Sequence, residues 1–267
     1  MTVQTIDRMA VDVRGVGDAI VFIHGLGGSM NVWTPLLPVL SRQRCVRIEM
    51  PGSARSHAAY APADYTPHKG QLSIAVFVDA VMKVCDALGI TRAHVVGHSL
   101  GTITAQHLTV RAPSLVASLT LFGAMAEALP AQRSGMRERA AVARNEGLFS
   151  IAEGISTAAL SASSREGNPL AVAYVRESVA AQPVEGFARS CIALAESTAA
   201  PADQIGCPVL IINGDEDVVT PLSGARQLAS RLRDARVEVL SRCGHWPTLE
   251  RPAECQRLLR DFVERVR

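Results

Sequence analysis

The segment His94-Val95-Val96-Gly97-His98-Ser99-Leu100-Gly101 decides the fold. A short β-branched run ends in a glycine, a serine follows two residues on, a second glycine comes two after that, and helical spacing begins at once. Gly101, Ala105, Leu108 and Ala112 then recur at three and four residues, which is one face of a helix. A chain that reverses so sharply from strand to helix has no room for large side chains two residues before or after the serine. Gly97 and Gly101 meet that demand. Such a turn holds the Ser99 hydroxyl clear of the sheet edge and aims the Leu100 N–H at the place where an oxyanion forms.

Working outward, the same alternation continues. Ile20-Val21-Phe22-Ile23, Cys45-Val46-Arg47-Ile48, Leu119-Thr120-Leu121-Phe122, Val209-Leu210-Ile211-Ile212 and Val237–Leu240 read as strands, the first four as short, mostly apolar or β-branched runs. Ile74, Val78, Val81, Cys85 and Leu88 mark a helix face, as do Ala225, Leu228 and Leu232, and Cys255, Leu258, Phe262 and Val266. The segment up to Gly17 alternates more and reads as an antiparallel edge ribbon. The fold class is therefore α/β, a mostly parallel central sheet covered by helices on both faces. From Ala124 to Gly206 the strand signal vanishes. Ala-, Ser- and Arg-rich helical sequence replaces it, with breaks at Gly147, Gly154, Gly167-Asn168-Pro169 and Pro183. The expected organisation is a core of residues 1–123 and 207–267 with a helical cap, residues 124–206, inserted over the carboxyl edge where ligands bind in open α/β folds.

Composition narrows the function classes. Across 267 residues, 27 Lys or Arg stand against 25 Asp or Glu, for a net charge of +2, too balanced for a phosphate-driven nucleic-acid binder. No apolar run approaches the length that spans a bilayer, about 20 residues. The first residues lack a basic start followed by an apolar run, so a cytoplasmic location is expected. The six cysteines are scattered without CxxC spacing and read as buried free thiols, with no metal site and no cofactor. A phosphate-cradling loop is disfavoured because neither GxxxxGK[ST] nor GxGxxG occurs. A small-molecule substrate is the expected partner, with no nucleic acid or membrane, and the chain is expected as a monomer or homodimer.

A serine hydroxyl needs a base within hydrogen-bond reach and a carboxylate to fix that base's tautomer. His245, in Cys243-Gly244-His245-Trp246-Pro247, follows the strand Val237–Leu240 and has the positional argument among the seven histidines. His24 reads more as a brace of the loop after the first strong strand, His98 should point away from the serine, and His57, His68, His94 and His107 read as surface or satisfied polar residues. Three acids, Asp215, Glu216 and Asp217, follow the strand Val209–Ile212. The first two read as turn formation and solvated charge, and Asp217 stands further on, ahead of Pro221. Preferring it rests on the resemblance below. The second oxyanion donor is expected from His24-Gly25-Leu26-Gly27-Gly28-Ser29, where glycines allow close backbone approach, with Leu26 N–H as the choice.

These residues make the chain resemble the α/β-hydrolase superfamily over nearly its whole length. The signatures are His24-Gly25, the elbow Gly97–Gly101, GxxDxxxP from Gly214 to Pro221, and GHxPxxExP from Gly244 to Pro252, which Glu250 and Pro252 complete. Where the family often has D-x-PGxGxS, Glu49-Met50-Pro51-Gly52-Ser53-Ala54-Arg55-Ser56 departs by Glu49 and Ala54, a change expected to tune the loop and spare the chemistry. The resemblance implies Ser99 as nucleophile, His245 as base, Asp217 as its orienter, and Leu26 and Leu100 as oxyanion donors. Within the superfamily the layout is similar to 3-oxoadipate enol-lactonase and small carboxylesterases. That implies hydrolysis of an ester or lactone of a small organic acid through an acyl-enzyme. A ligand sensor on the same fold, an acyltransferase, a C–C hydrolase, an amidase or a perhydrolase would share the triad. Candidate substrate contacts are His24, Gly25, Trp33 and Trp246; Arg133, Arg137 and Arg144, at helical spacing in the insertion, read either as a solvated basic helix face or as receptors for a carboxylate.

Overall fold

Apolar runs buried on both faces form the centre of the sheet. In the computed structural model, which describes residues 3–56 and 71–266, every residue of β3 (Ala19–Ile23), β5 (Ala93–His98), β6 (Val116–Phe122) and β7 (Val209–Gly214) is buried. β1 (Gln4–Ile6), β2 (Met9–Arg14), β4 (Arg44–Ile48) and β8 (Ala235–Leu240) complete an eight-stranded sheet in the order β1-β2-β4-β3-β5-β6-β7-β8. β3 to β8 pair in parallel, whereas β1 with β2 and β2 with β4 are antiparallel, giving the expected edge ribbon. β8, at the opposite edge, has only one fully buried residue, Leu240.

The pleat sends alternate side chains to two cores. Val21 and Ile23 of β3 join α1 (Ile74–Ala87), α2 (Leu100–Arg111) and α8 (Leu222–Arg231) on one face. Ile20 and Phe22 join the 3₁₀ helix Met30–Val39 and α10 (Pro252–Arg265) on the other. The expected α/β architecture is thus present, with α9 (Pro247–Glu250) a single turn ahead of α10.

Five α-helices lie between β6 and β7: α3 (Pro130–Glu146), α4 (Phe149–Ala158), α5 (Ala162–Gly167), α6 (Pro169–Ala180) and α7 (Val184–Ala195). They hold a small core of their own around Ala143, Leu148, Val179, Phe187 and Cys191. Gly147 ends α3 at φ +82°, Asn168 caps α6 ahead of Pro169, and Pro183 opens α7, at the expected breaks. Gly154 does not break the chain but lies inside α4. The break after α4 falls instead at Ala159–Ser161, where Ser161 caps α5 through Ser164 N–H.

Gln182 fastens this layer to the sheet by donating from Nε2 to Gly28 O at 3.2 Å and Ser178 O at 2.7 Å, while its Oε1 accepts from Ala54 N–H at 3.0 Å. Ala54 sits at φ +42°, which favours the glycine that the sequence comparison places there. The neighbouring Glu49 carboxylate is buried and holds Arg55 through Nη2 at 2.7 Å and N–H at 2.9 Å. The two departures are thus loop-building residues. His57 and His68 lie outside the described residues.

At the ribbon edge a buried ion pair ties β2 to β4. Arg47 donates from Nη2 and Nε to Asp12 Oδ2 at 2.8 and 3.1 Å, and from Nη1 to Met30 O and Thr34 Oγ1. Burial opposes the charge on Asp12, but Arg47 and Arg14 outweigh it and hold the carboxyl below its ordinary range. Removing one partner strands the other, so Asp12→Ala is expected to cost about 3–5 kcal/mol in urea unfolding at neutral pH. The double variant Asp12→Ala/Arg47→Met is expected to recover much of that loss. Because the folded carboxyl is depressed, the pair stabilises above the ordinary carboxylate range and its contribution falls as pH drops through the folded value. A single variant as stable as the parent would contradict the assignment.

Candidate active site

The elbow is built by backbone contact. A Cβ on Gly101 would stand 2.2 Å from Ile23 O, and one on Gly97 would stand 2.6 Å from Gly101 O. Only glycine lets α2 start this close to β3 and β5. Ser99 adopts φ +52° and ψ −118°, a strained conformation for a residue with a side chain. Although Ser99 sits at the N-cap, its hydroxyl does not cap the helix. Leu100, the first residue of α2, leads with an N–H that has no intrahelical acceptor. Leu26 N–H finds no acceptor among the described residues, and the turn that carries it closes through Gly28 N–H to Gly25 O at 3.1 Å.

Asp217 is held by three neighbours. Its Oδ1 accepts from Val219 and Thr220 N–H at 2.9 and 2.8 Å, and Oδ2 accepts from Thr220 Oγ1 at 2.7 Å and His245 Nδ1 at 2.9 Å. Burial opposes its ionisation, but the His245 charge and these hydrogen bonds prevail and keep the carboxyl below its ordinary value of 3.8. With Nδ1–H committed to Asp217, the remaining imidazole nitrogen, Nε2, is free to accept a proton. Of the three acids in the loop, Asp217 is the one at the imidazole. Asp215 is exposed and accepts from Cys243 N–H at 3.1 Å, and Glu216 accepts from Ala162 N–H at 2.9 Å.

The loop bearing His245 is clamped from several sides. The buried Glu250 carboxylate accepts from Gly244, Trp246 and Ser161 N–H at 3.0, 3.1 and 2.8 Å, and His245 N–H donates to Ala159 O at 2.7 Å. The α4–α5 break therefore docks on the histidine loop. His98, beside the serine, donates from Nε2 to His245 O at 2.7 Å and stacks within 5.1 Å of the His245 and Trp246 rings. Burial and the nearby His245 push its pKa down to about 3, so it is a neutral brace. Behind the pair, a Cβ on Gly123 would come within 3.1 Å of the His245 ring. The sequence reading did not reach Thr220 or the bracing role of His98, because neither carries a motif role of its own.

Ser99, His245, Leu26 and Trp246 border one cavity of about 550 Å³, roofed by α3, α4 and α7 through Met136, Arg139, Ile151, Ile155 and Leu194. Several expected substrate contacts lie elsewhere. Trp33 is fully buried against Phe22 and Phe122, with ring centroids at 5.3 and 5.9 Å, and belongs to the core. His24 donates from Nδ1 to Gly25 O and accepts Met50 N–H at Nε2, so both nitrogens brace the loop. Gly25 supports the elbow, since a Cβ there would meet Ser99 Cβ at 2.9 Å. Arg133 is bound by Glu127, Ala128 O and Ser197 O. Arg137 is exposed, and Arg144 pairs with Glu185. The reason is angular. Residues 133, 137 and 144 form a stripe about 130° away from Gln132, Gly135, Met136 and Arg139, which face the cavity.

His94 bonds Ser118 Oγ at 2.8 Å and His107 bonds Thr198 O at 2.9 Å, the satisfied polar residues expected of them. All six cysteines are free, and burial raises Cys45 and Cys207 to about 11 and Cys85 and Cys191 to about 12. They are unsuited as thiolate nucleophiles at neutral pH. Among the described residues no cluster of metal-ligating side chains occurs, and no helix is long and apolar enough to cross a membrane.

A family described as alpha/beta hydrolase fold matches residues 18–252. A protein of Caulobacter sp. (strain K31) whose name proposes a carbamate hydrolase is 26% identical, with 97% of each chain covered. The 2-hydroxymuconate semialdehyde hydrolase of Pseudomonas sp. (strain CF600) is 28% identical, covering 93% of this chain and 88% of its own. Among solved structures, the enol-lactonase from Burkholderia xenovorans LB400 superposes with a TM-score of 0.86 at 25% identity, covering 97% and 98% of the two chains.

Thr220→Val removes one donor to the ionised Asp217 carboxylate and is expected to cost about 1.5–3 kcal/mol at pH 7. The depressed Asp217 value means this stabilisation is complete above the ordinary carboxylate range and lost as pH falls through the folded value. Urea unfolding of both proteins from pH 7 to pH 3 should therefore show the difference narrowing in acid. A gap independent of pH would mean that Thr220 acts through packing alone.

Proposed function

The chain belongs to the alpha/beta hydrolase fold family, and we propose that it is a serine hydrolase that cleaves a carboxylic ester or lactone of a small organic acid through an acyl-enzyme. The carrying observation is His245, fixed through Nδ1 on Asp217 at 2.9 Å and bordering the same cavity as the strained, uncapping Ser99. Hydrolysis is common to the names of the relatives, while those names divide over the bond that is cleaved. The cavity falls within the range of small-molecule sites, about 300–1,000 Å³.

Each group then has one task. Ser99 Oγ attacks the substrate carbonyl as its proton passes to His245 Nε2, and Asp217 stabilises the imidazolium that results. Negative charge gathers on the former carbonyl oxygen, where Leu26 and Leu100 N–H donate to it without reorganising. The tetrahedral intermediate expels the alkoxide or enolate oxygen, which takes the proton from His245. Water enters, gives a proton to the same nitrogen and attacks the acyl-enzyme carbon; the second tetrahedral intermediate expels Ser99 Oγ, which takes that proton from His245, and the acid is released. The five helices between β6 and β7 act as a cap that restricts water at the cavity.

With a p-nitrophenyl ester the parent should release a burst of p-nitrophenol matching the enzyme concentration, and Ser99→Ala should abolish it. Asp217→Asn, which inverts the tautomer control on His245, is expected to lower kcat on the order of 10⁴-fold. Asp215→Asn, remote from the imidazole, should lower it far less. Full activity in Ser99→Ala, or damage from Asp215→Asn with Asp217→Asn silent, would refute the assignment.

A further inference from the structure

Arg139 is placed unlike the other arginines of α3 whose partners are described above. Its side chain is half-buried on the cavity wall, on the stripe of α3 that faces Ser99 and His245. Whereas Arg133 and Arg144 meet the carboxylates of Glu127 and Glu185, Arg139 has a single hydrogen-bond contact, Nη1 to Met136 Sδ at 3.9 Å. A thioether is a weak acceptor, and a guanidinium presents five donors in a planar fork. Among the described residues no Asp or Glu lines this cavity, and its walls beside Arg139 are Met136, Ile151, Ile155 and Leu194. A cation held at an apolar wall without a counter-ion is a site for an anion, because the lower local dielectric strengthens the pairing and nothing competes for the fork.

We propose that Arg139 is the anion subsite of this cavity and that the substrate carries, on its acyl part, a carboxylate remote from the carbonyl that Ser99 attacks. The proposal rests on the serine-hydrolase reading above and names its substrate class. The acyl part is the half that stays on Ser99 through both steps, so an anchor in the cavity keeps it positioned while the leaving group departs and water enters. Bidentate pairing of the carboxylate with the guanidinium supplies the anchor. It acts on binding more than on the chemical step, so its loss falls mainly on KM.

The test uses p-nitrophenyl half-esters of glutaric, adipic and suberic acids, each against the p-nitrophenyl ester of the straight-chain monocarboxylic acid of equal length. The parent should prefer the anionic ester for at least one length. Arg139→Gln should reduce that preference in kcat/KM by about tenfold or more, chiefly through KM, and Arg139→Lys, which keeps the charge and loses the fork, should restore part of it. Preferences that survive Arg139→Gln, or a parent that favours the neutral ester at every length, would overturn the proposal.

A binding arm separates this from the reading beneath it. Calorimetry should find adipate bound more tightly than hexanoate by the parent, with the difference largely lost in Arg139→Gln. If the parent cleaves none of these esters, the ester-hydrolase reading fails, and the calorimetric preference alone decides the anion subsite. Equal binding of the two acids by the parent would refute the subsite even where turnover persists.

Discussion

The approach of α2 to β3 is the constraint on which the rest of the molecule depends. Gly101 packs against Ile23 O so closely that no side chain fits between them, and Ser99 is forced to φ +52°. The strain at Ser99 is held by backbone on both sides, by Ser99 N–H to Phe122 O at 3.0 Å and by Thr102 N–H to Ser99 O at 2.8 Å. A conformation that costs of order 1–3 kcal/mol persists only where its surroundings over-determine it. Here the surroundings are three parallel strands with every residue buried, and the result is a hydroxyl presented to a cavity instead of being spent on capping its own helix.

A second constraint links the loops bearing His245 and Leu26 to the helices above them. Glu250 accepts from N–H groups on both sides of His245 and from Ser161 of the helical layer, so one buried carboxylate sets the histidine loop and the roof of the cavity together. Gln182 does the same for the loop that bears Leu26. The roof is therefore registered to the site at two points, and the cavity between them inherits its shape from both.

Motifs in the sequence point to the loops bearing Ser99, Asp217 and His245 because those loops obey local rules. A tight strand-to-helix turn demands small residues at fixed offsets, so Gly97 and Gly101 mark Ser99 from sequence alone. Strands covered on both faces demand apolar runs, so β3 to β7 are legible with errors of a few residues at their ends. The roof obeys no such rule at its most consequential point. The local signal in Ala159-Leu160-Ser161 is a lone serine N-cap, and the break is pinned there by long-range bonds, Ala159 O accepting from His245 N–H and Ser161 N–H donating to Glu250. Gly154, a plausible break by composition, stays helical and faces the cavity, where it adds volume.

The sequence by itself determined the α/β architecture, the edge ribbon and the loops bearing Ser99, Asp217 and His245, because periodicity and turn chemistry are short-range properties of a chain. Only the tertiary structure decided which acid meets the imidazole, since Asp215, Glu216 and Asp217 differ by rotations of one loop that Thr220 and Val219 N–H fix. It also decided which arginine faces the cavity. Arg133, Arg137 and Arg139 share one helix, and a rotation of about 100° per residue separates a guanidinium paired with Glu127 from one on the cavity wall. That angle is set by how α3 packs on α7 around Ala143 and Cys191, a long-range contact that no local pattern encodes.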